Sequence, residues 1–160
     1  MNDLEIRPTP FDSPQARGML DAAHADLVAT YGGGDANPVD PRDFDPPHGC
    51  FLLAWLDGEA VACGGWRTVP DGKAGARGGD TAEIKRMYAA RDVRGTGVAA
   101  ALLRALEDSA RSHGRRRVVL ETGVPQAAAI AFYEKNGYRP IENYGYYREH
   151  DSCRSFGRDL

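Results

Sequence analysis

Arg91-Asp92-Val93-Arg94-Gly95-Thr96-Gly97-Val98-Ala99 is the stretch on which the reading of this chain turns. Two glycines, one residue apart, stand where a helical pattern begins. Beyond them Val98, Leu102, Leu103, Leu106 and Ala110 recur at helical spacing, with Arg104, Glu107, Asp108 and Arg111 between them. Ahead of them, Ala82 to Tyr88 reads as a strand. Strand, glycine-rich turn and helix start together make an anion site. Glycine lets the backbone turn with its amides outward, and the free N–H groups of a first helical turn carry partial positive charge. The turn is therefore predicted to hold a phosphate or pyrophosphate.

Two nucleotide motifs compete for it. A P-loop needs Gly-Lys-Ser/Thr, and that ending is missing. The dinucleotide fingerprint G-x-G-x-x-G/A is met by Gly95, Gly97 and Ala100, and Glu121 closes the apolar run Val118-Val119-Leu120 where a ribose-binding acid would lie. That motif runs its strand directly into the first glycine, whereas here Arg91-Asp92-Val93-Arg94 intervenes. A dinucleotide-binding redox domain is one rival reading.

The chain around the turn supplies a second reading. Arg94-Gly95-Thr96-Gly97-Val98-Ala99 resembles the acetyl-CoA signature Q/R-x-x-G-x-G/A of the GNAT N-acetyltransferases, with Arg94 as the leading basic residue. Ala129, Tyr133, Gly137 and Tyr138 resemble a second block of that family, in which Gln126 stands where asparagine is common. In the preceding strand Ile84 and Met87 lie an odd number of residues apart, so a regular strand would put them on opposite faces. A β-bulge near Met87 and Tyr88 corrects this, and GNAT proteins carry such a bulge, which splays two central strands. The resemblance implies an α/β (α+β) chain with the GNAT fold: a mixed, mostly antiparallel central sheet, splayed between its central strands and flanked by helices.

The same resemblance implies site roles. Arg94, Gly95, Thr96, Gly97, Val98 and Ala99 would grip the pyrophosphate of acetyl-CoA. Main-chain groups of Met87, Tyr88 and Ala89 would meet the pantetheine arm and the thioester oxygen, and Gln126 would add a side-chain contact. Tyr133 would protonate the departing thiolate. Glu83 would accept the ammonium proton, directly or through water; its bland alternative is an ion pair with Lys85, Arg86 or a cross-strand cation. Glu121 is the rival base or an acceptor-binding group. A third class of reading is a non-catalytic acyl-CoA-binding module.

Composition narrows the partners. The 160 residues suit one domain, 1–160, with a sizeable core. A net charge of −3 leaves no nucleic-acid footprint, and Arg115-Arg116-Arg117 reads as a solvated turn. The start of the chain has no signal-peptide pattern and no apolar run is long enough for a membrane span. Cys50, Cys63 and Cys153 are odd in number and widely spaced, which fits reduced thiols in a cytoplasm and no metal site. The expected partner is a small-molecule or peptide amine, with the protein a monomer or homodimer.

The remaining elements fall in order. Leu4 to Arg7 alternates as a strand; Ser13-Pro14 opens a helix to Tyr31, burying Leu20, Ala23, Leu27 and Val28. Gly32 to Gly49 is a loop with room for one helical turn. Its acids Asp35, Asp40, Asp43 and Asp45 suit a solvated connection, or a lip that draws in a cationic acceptor. Cys50 to Leu56 and Glu59 to Arg67 form a hairpin about Asp57-Gly58. Thr81 to Ala89 and Arg117 to Thr122 are further strands, Pro125 opens a helix stopped at Asn136-Gly137, and Ile141 to Leu160 reads as two closing strands.

Overall fold

The computed structural model describes residues 3–160. Its elements run β1 (Leu4–Pro8), α1 (Pro14–Tyr31), β2 (Gly49–Leu56), β3 (Glu59–Thr68), β4 (Thr81–Ala89), α2 (Val98–Ser112), β5 (Arg117–Gly123), α3 (Ala127–Lys135), β6 (Arg139–Ile141) and β7 (Cys153–Asp159). The strands form one seven-stranded sheet in the order β1-β2-β3-β4-β5-β7-β6. Only β4 and β5 run parallel among the described strands. A dinucleotide domain needs a doubly wound parallel sheet, so the redox reading is overturned.

Local chemistry explains the starts and stops. Ser13 caps α1 by accepting from Ala16 N, with Pro14 in the first turn. Asp57 and Gly58 both have positive φ, the turn whose twist suits a two-residue hairpin. β4 keeps its expected bounds, and α2 starts at Val98 as its apolar spacing requires.

The two faces of the sheet differ. On one, Ala82, Ile84, Trp66, Val118, Leu120 and Phe156 pack against Leu102, Leu103 and Leu106 of α2. On the other, Phe51, Leu53 and Cys63 pack against Ala16 of α1 and Phe44 of a short 3₁₀ turn at Pro41–Phe44. Strand side chains alternate, so Glu83 and Lys85 share this second face.

The central feature is where β4 and β5 part. They pair only from Thr81–Arg117 to Glu83–Val119. Beyond that point β4 continues to Ala89 and β5 to Gly123 without pairing, and a wedge opens between them. The bulge sits one residue earlier than expected. Cys63 faces Tyr88 and Gly65 faces Lys85, so Arg86 and Met87 together oppose Gly64. Arg86 takes the left-handed conformation, with φ 58°. Gly64 is required there: a Cβ would lie 2.9 Å from Met87 Sδ and 3.1 Å from Leu106 Cδ1.

Four local expectations need correcting. In α1 only Ala16 is buried; Leu20, Ala23 and Leu27 are half-buried and Val28 is exposed. Arg115-Arg116-Arg117 is not a solvated turn. Arg115 stacks 5.2 Å from the Trp66 ring and donates to Thr68 Oγ1, while Arg117 opens β5. α3 begins at Ala127, with Gln126 as its cap residue. Of the tail, only Arg139–Ile141 and Cys153–Asp159 are strand; the tyrosine-rich segment between them folds back over the sheet through turns.

Candidate active site

The wedge ends at the glycine turn. Gly95 and Gly97 have φ of 77° and 93°, and a Cβ on either would meet nothing within 4 Å. Gly97 is the cap residue of α2, and no side chain caps that helix. The amides of the first turn therefore have no side-chain acceptor and face open space, as an anion site requires. Arg94 Nε donates to Ala89 O at 2.9 Å, and its guanidinium lies 5.7 Å from the Tyr88 ring. Arg91 and Arg94 also reach Asp26 of α1 at 3.3 and 3.4 Å. Both arginines are exposed enough to turn from Asp26 toward a phosphate.

Met87, Tyr88 and Ala89 run along the β4 side of the wedge. Because β4 has no β5 partner there, main-chain groups of residues 84–89 are left facing the gap. Residues 94–99 close its end.

Tyr133 lies on α3 against the core that contains α2, with its ring 5.6 Å from Tyr138. Burial raises its phenol above the ordinary value, so it stays protonated at neutral pH. Gln126 is already engaged: its Nε2 donates to Tyr31 Oη at 2.9 Å, tying the start of α3 to the end of α1.

Glu83 is 6% exposed. Arg67 Nε donates to its Oε1 at 3.0 Å and Tyr144 Oη donates to its Oε2 at 2.7 Å. Arg67 stands directly across from Glu83 in the β3–β4 pairing and also reaches Asp43 at 3.4 Å. Burial, then the neighbouring Glu83, keeps the Tyr144 phenol protonated. The Oε1 of Glu121 is buried against Gly145 without a hydrogen-bond partner, and its Oε2 accepts from Tyr147 N at 3.2 Å.

Within the acidic loop Asp35 is tied to the sheet, while Asp45 is exposed. Asp35 accepts from Arg86 Nη1, from Tyr147 Oη at 2.6 Å and from Asn37 N at 2.9 Å. Burial pushes the Asp35 carboxyl up, but Lys85, the Tyr147 hydroxyl and Arg86 outweigh it and leave it below the ordinary value. Sequence reasoning missed Arg67 and the pairing of Asp35 with Arg86. Both depend on loops that bring distant residues onto one face, which neither periodicity nor spacing reports.

The cysteines are poor nucleophiles. Burial pushes Cys63 up to about 12, and burial with Glu121 beside it pushes Cys153 up to about 11. The described residues contain no cluster of His, Cys, Asp and Glu suited to a metal ion, and no helix long and apolar enough to cross a membrane.

A sheet splayed beside an uncapped, glycine-led helix start defines a class: transferases that hold an acyl-CoA in the wedge. The chain belongs to the acetyltransferase (GNAT) family, whose sequence profile matches residues 17–138. It is 37% identical over 97 residues to an IAA acetyltransferase of Azospirillum brasilense, covering 61% of this chain and 59% of that protein. The aligned stretch thus spans less than two thirds of that relative. Among solved structures, a GNAT-family acetyltransferase from Staphylococcus aureus superposes with a TM-score of 0.74 at 16% identity, covering 99% of each chain. A GNAT-family acetyltransferase from Elizabethkingia anophelis with acetyl-CoA bound gives a TM-score of 0.66 at 18% identity, covering 98% of each chain.

Proposed function

We propose that this chain is an acetyl-CoA-dependent N-acetyltransferase that acetylates a primary amine of a small molecule or peptide by direct attack in a ternary complex. The observation that carries the reading is the β4–β5 wedge ending at the open, uncapped start of α2. When bound, acetyl-CoA supplies the acetyl group as a thioester, whose C–S bond breaks as the acceptor's N–C bond forms. The amides of Gly95 and of residues 97–100, with the side chain of Arg94, hold its pyrophosphate, while Thr96 N donates to Val93 O within the turn. Main chain of Met87, Tyr88 and Ala89 lines the pantetheine arm, and an N–H beside the bulge faces the carbonyl oxygen as charge develops there.

The protons balance as follows. Glu83, held by Arg67 and Tyr144 through one hydrogen bond per oxygen, takes a proton from the acceptor's ammonium through water. Tyr133 gives its phenolic proton to the departing sulfur, and the second proton leaving the nitrogen restores it. Overall the ammonium loses two protons, one reappears on the thiol and one goes to water. Direct transfer is favoured over an acyl-enzyme because Cys63 and Cys153 are held protonated at neutral pH. Glu121 remains the rival base: its Oε2 accepts from Tyr147 N and its Oε1 has no hydrogen-bond partner.

The protein acts as a monomer or a homodimer. The three free thiols suit a reducing cytoplasm. The test is free-thiol release from acetyl-CoA with a panel of primary amines. Amine-dependent release is expected. Acetyl-CoA binding without release for any amine would instead make the chain a non-catalytic acyl-CoA-binding module.

A further inference from the structure

Of the three cations Arg67, Lys85 and Arg86 on the acceptor side of the sheet, two donate hydrogen bonds to a carboxylate and one does not. Arg67 has Glu83 and Asp43; Arg86 has Asp35 and the Asn37 carbonyl. Lys85 is 8% exposed and makes no hydrogen bond with any described residue. Its nearest anion is Asp35 Oδ2, 3.8 Å from Nζ, and Arg86 already donates to that oxygen. The other oxygen of Asp35 serves Tyr147 and Asn37 N. Two cations thus share one carboxylate, and Lys85 reaches it at the longer distance, without a hydrogen bond. An under-paired buried ammonium is destabilising, and an anionic ligand would complete it.

Position makes that ligand specific. Lys85 immediately precedes the bulged pair Arg86 and Met87, where main chain faces the wedge, and it shares a face with Glu83. A group bound at Lys85 is therefore close to the place where the acceptor nitrogen must arrive. Asp35, Asp40 and Asp43 of the 32–48 loop are each paired with an arginine, and the 400 Å³ groove that borders Glu83 is lined by both signs, Arg67 and Lys73 with Asp43.

We propose that Lys85 binds a carboxylate of the acceptor, so that the acceptor is an amino acid or another amine carrying a carboxylate a few bonds from its nitrogen. This rests on the acetyltransferase reading. It replaces the expectation of a cationic acceptor drawn in by an acidic lip. The lysine also helps the chemistry, because a positive charge beside the acceptor's ammonium favours loss of its proton.

The test compares each of a set of L-amino acids with its own carboxamide, which keeps the nitrogen and removes the anionic charge. Thiol release by the full chain should show kcat/KM at least about tenfold higher for the acid, the range of one lost charge-assisted hydrogen bond. In Lys85→Met the acid-to-amide ratio should fall toward one, with the acetyl-CoA Kd unchanged; Lys85→Arg should restore part of the preference. Calorimetric titration of the CoA-saturated protein with the preferred amino acid reads the same dependence without turnover. Equal kcat/KM for acids and amides in the parent protein overturns the carboxylate proposal while leaving the acetyltransferase reading intact. No release with any amine refutes that reading and this proposal together. The acid–amide comparison uses the parent protein alone and does not depend on the folding of either variant.

Discussion

Replacing Glu83 with glutamine removes a charge and a proton site while keeping the shape of the side chain. The structural cost is bounded by the contacts. The Arg67 Nε bond at 3.0 Å loses its ionised acceptor, but Arg67 keeps Asp43 at 3.4 Å, and the Tyr144 hydroxyl can still donate to the amide oxygen. Glutamine offers one acceptor oxygen to two donors, so with Tyr144 on that oxygen the Arg67 bond is lost outright, at about 1–3 kcal/mol. For a chain of this size that lowers Tm by roughly 3–10 °C. If Glu83 takes the ammonium proton, its loss removes a general base, worth about 10²–10⁴ in rate. The assay is thiol release across about pH 6–9, with the acetyl-CoA Kd from calorimetry beside it. Glu83→Gln should bind acetyl-CoA like the parent, melt several degrees lower and turn over at least about a hundredfold more slowly. A kcat within about threefold of the parent, far below the effect of a lost base, would show that Glu83 only braces Arg67 and Tyr144.

Three further substitutions probe the same account. Tyr133→Phe should lower kcat by about 10²-fold or more with little change in acetyl-CoA affinity; because burial raises this phenol, the parent should show no alkaline loss from Tyr133 below about pH 10. Unchanged kcat would make the tyrosine structural. Glu107, 2% exposed on α2, accepts from Tyr138 Oη at 2.7 Å, Arg158 at 2.9 Å and Arg104 at 2.7 Å. Glu107→Ala should destabilise by about 3 kcal/mol in denaturant titration, as removing one partner of a buried pair does, and a loss under about 1 kcal/mol would contradict that. The lowered carboxyl of Asp35 gives the folded state an advantage that is present above its unfolded value of 3.8 and is lost as pH falls through the folded value. Asp35→Asn should therefore be less stable than the parent at neutral pH, with the gap closing only as pH falls below 3.8 toward the lower folded value. A constant gap at all pH values would mean that the charge on Asp35 is not what matters.

The elements and the glycine turn that opens α2 were legible in the sequence, because both depend on local patterns. The strand 81–89 was legible from its position ahead of the glycines, and the need for a bulge from the clash between Ile84 and Met87. The structure moved that bulge by only one residue, to where Gly64 gives Met87 room. The acceptor end was far less legible. Arg67 meets Glu83 through strand register across a long loop, and Asp35 reaches Arg86 over a connection of irregular backbone. Glu107 reads as one polar residue among several on α2, yet it faces inward because Arg158 and Tyr138 arrive from the other end of the chain to meet it. Such pairings are made by tertiary packing, and residue type and spacing do not encode them.

The central claim is that the open start of α2, led by Gly97, holds the pyrophosphate of acetyl-CoA. Calorimetric titration with acetyl-CoA, on the parent and on Gly97→Val, tests it most directly. At φ 93° a β-branched residue strains the turn, by about 1–2 kcal/mol, and puts its side chain where the phosphate must approach. The parent should bind, and Gly97→Val should bind at least about tenfold more weakly, the loss of one charge-assisted contact, while remaining folded. No binding by the folded parent, or equal affinity for both proteins, would contradict the account.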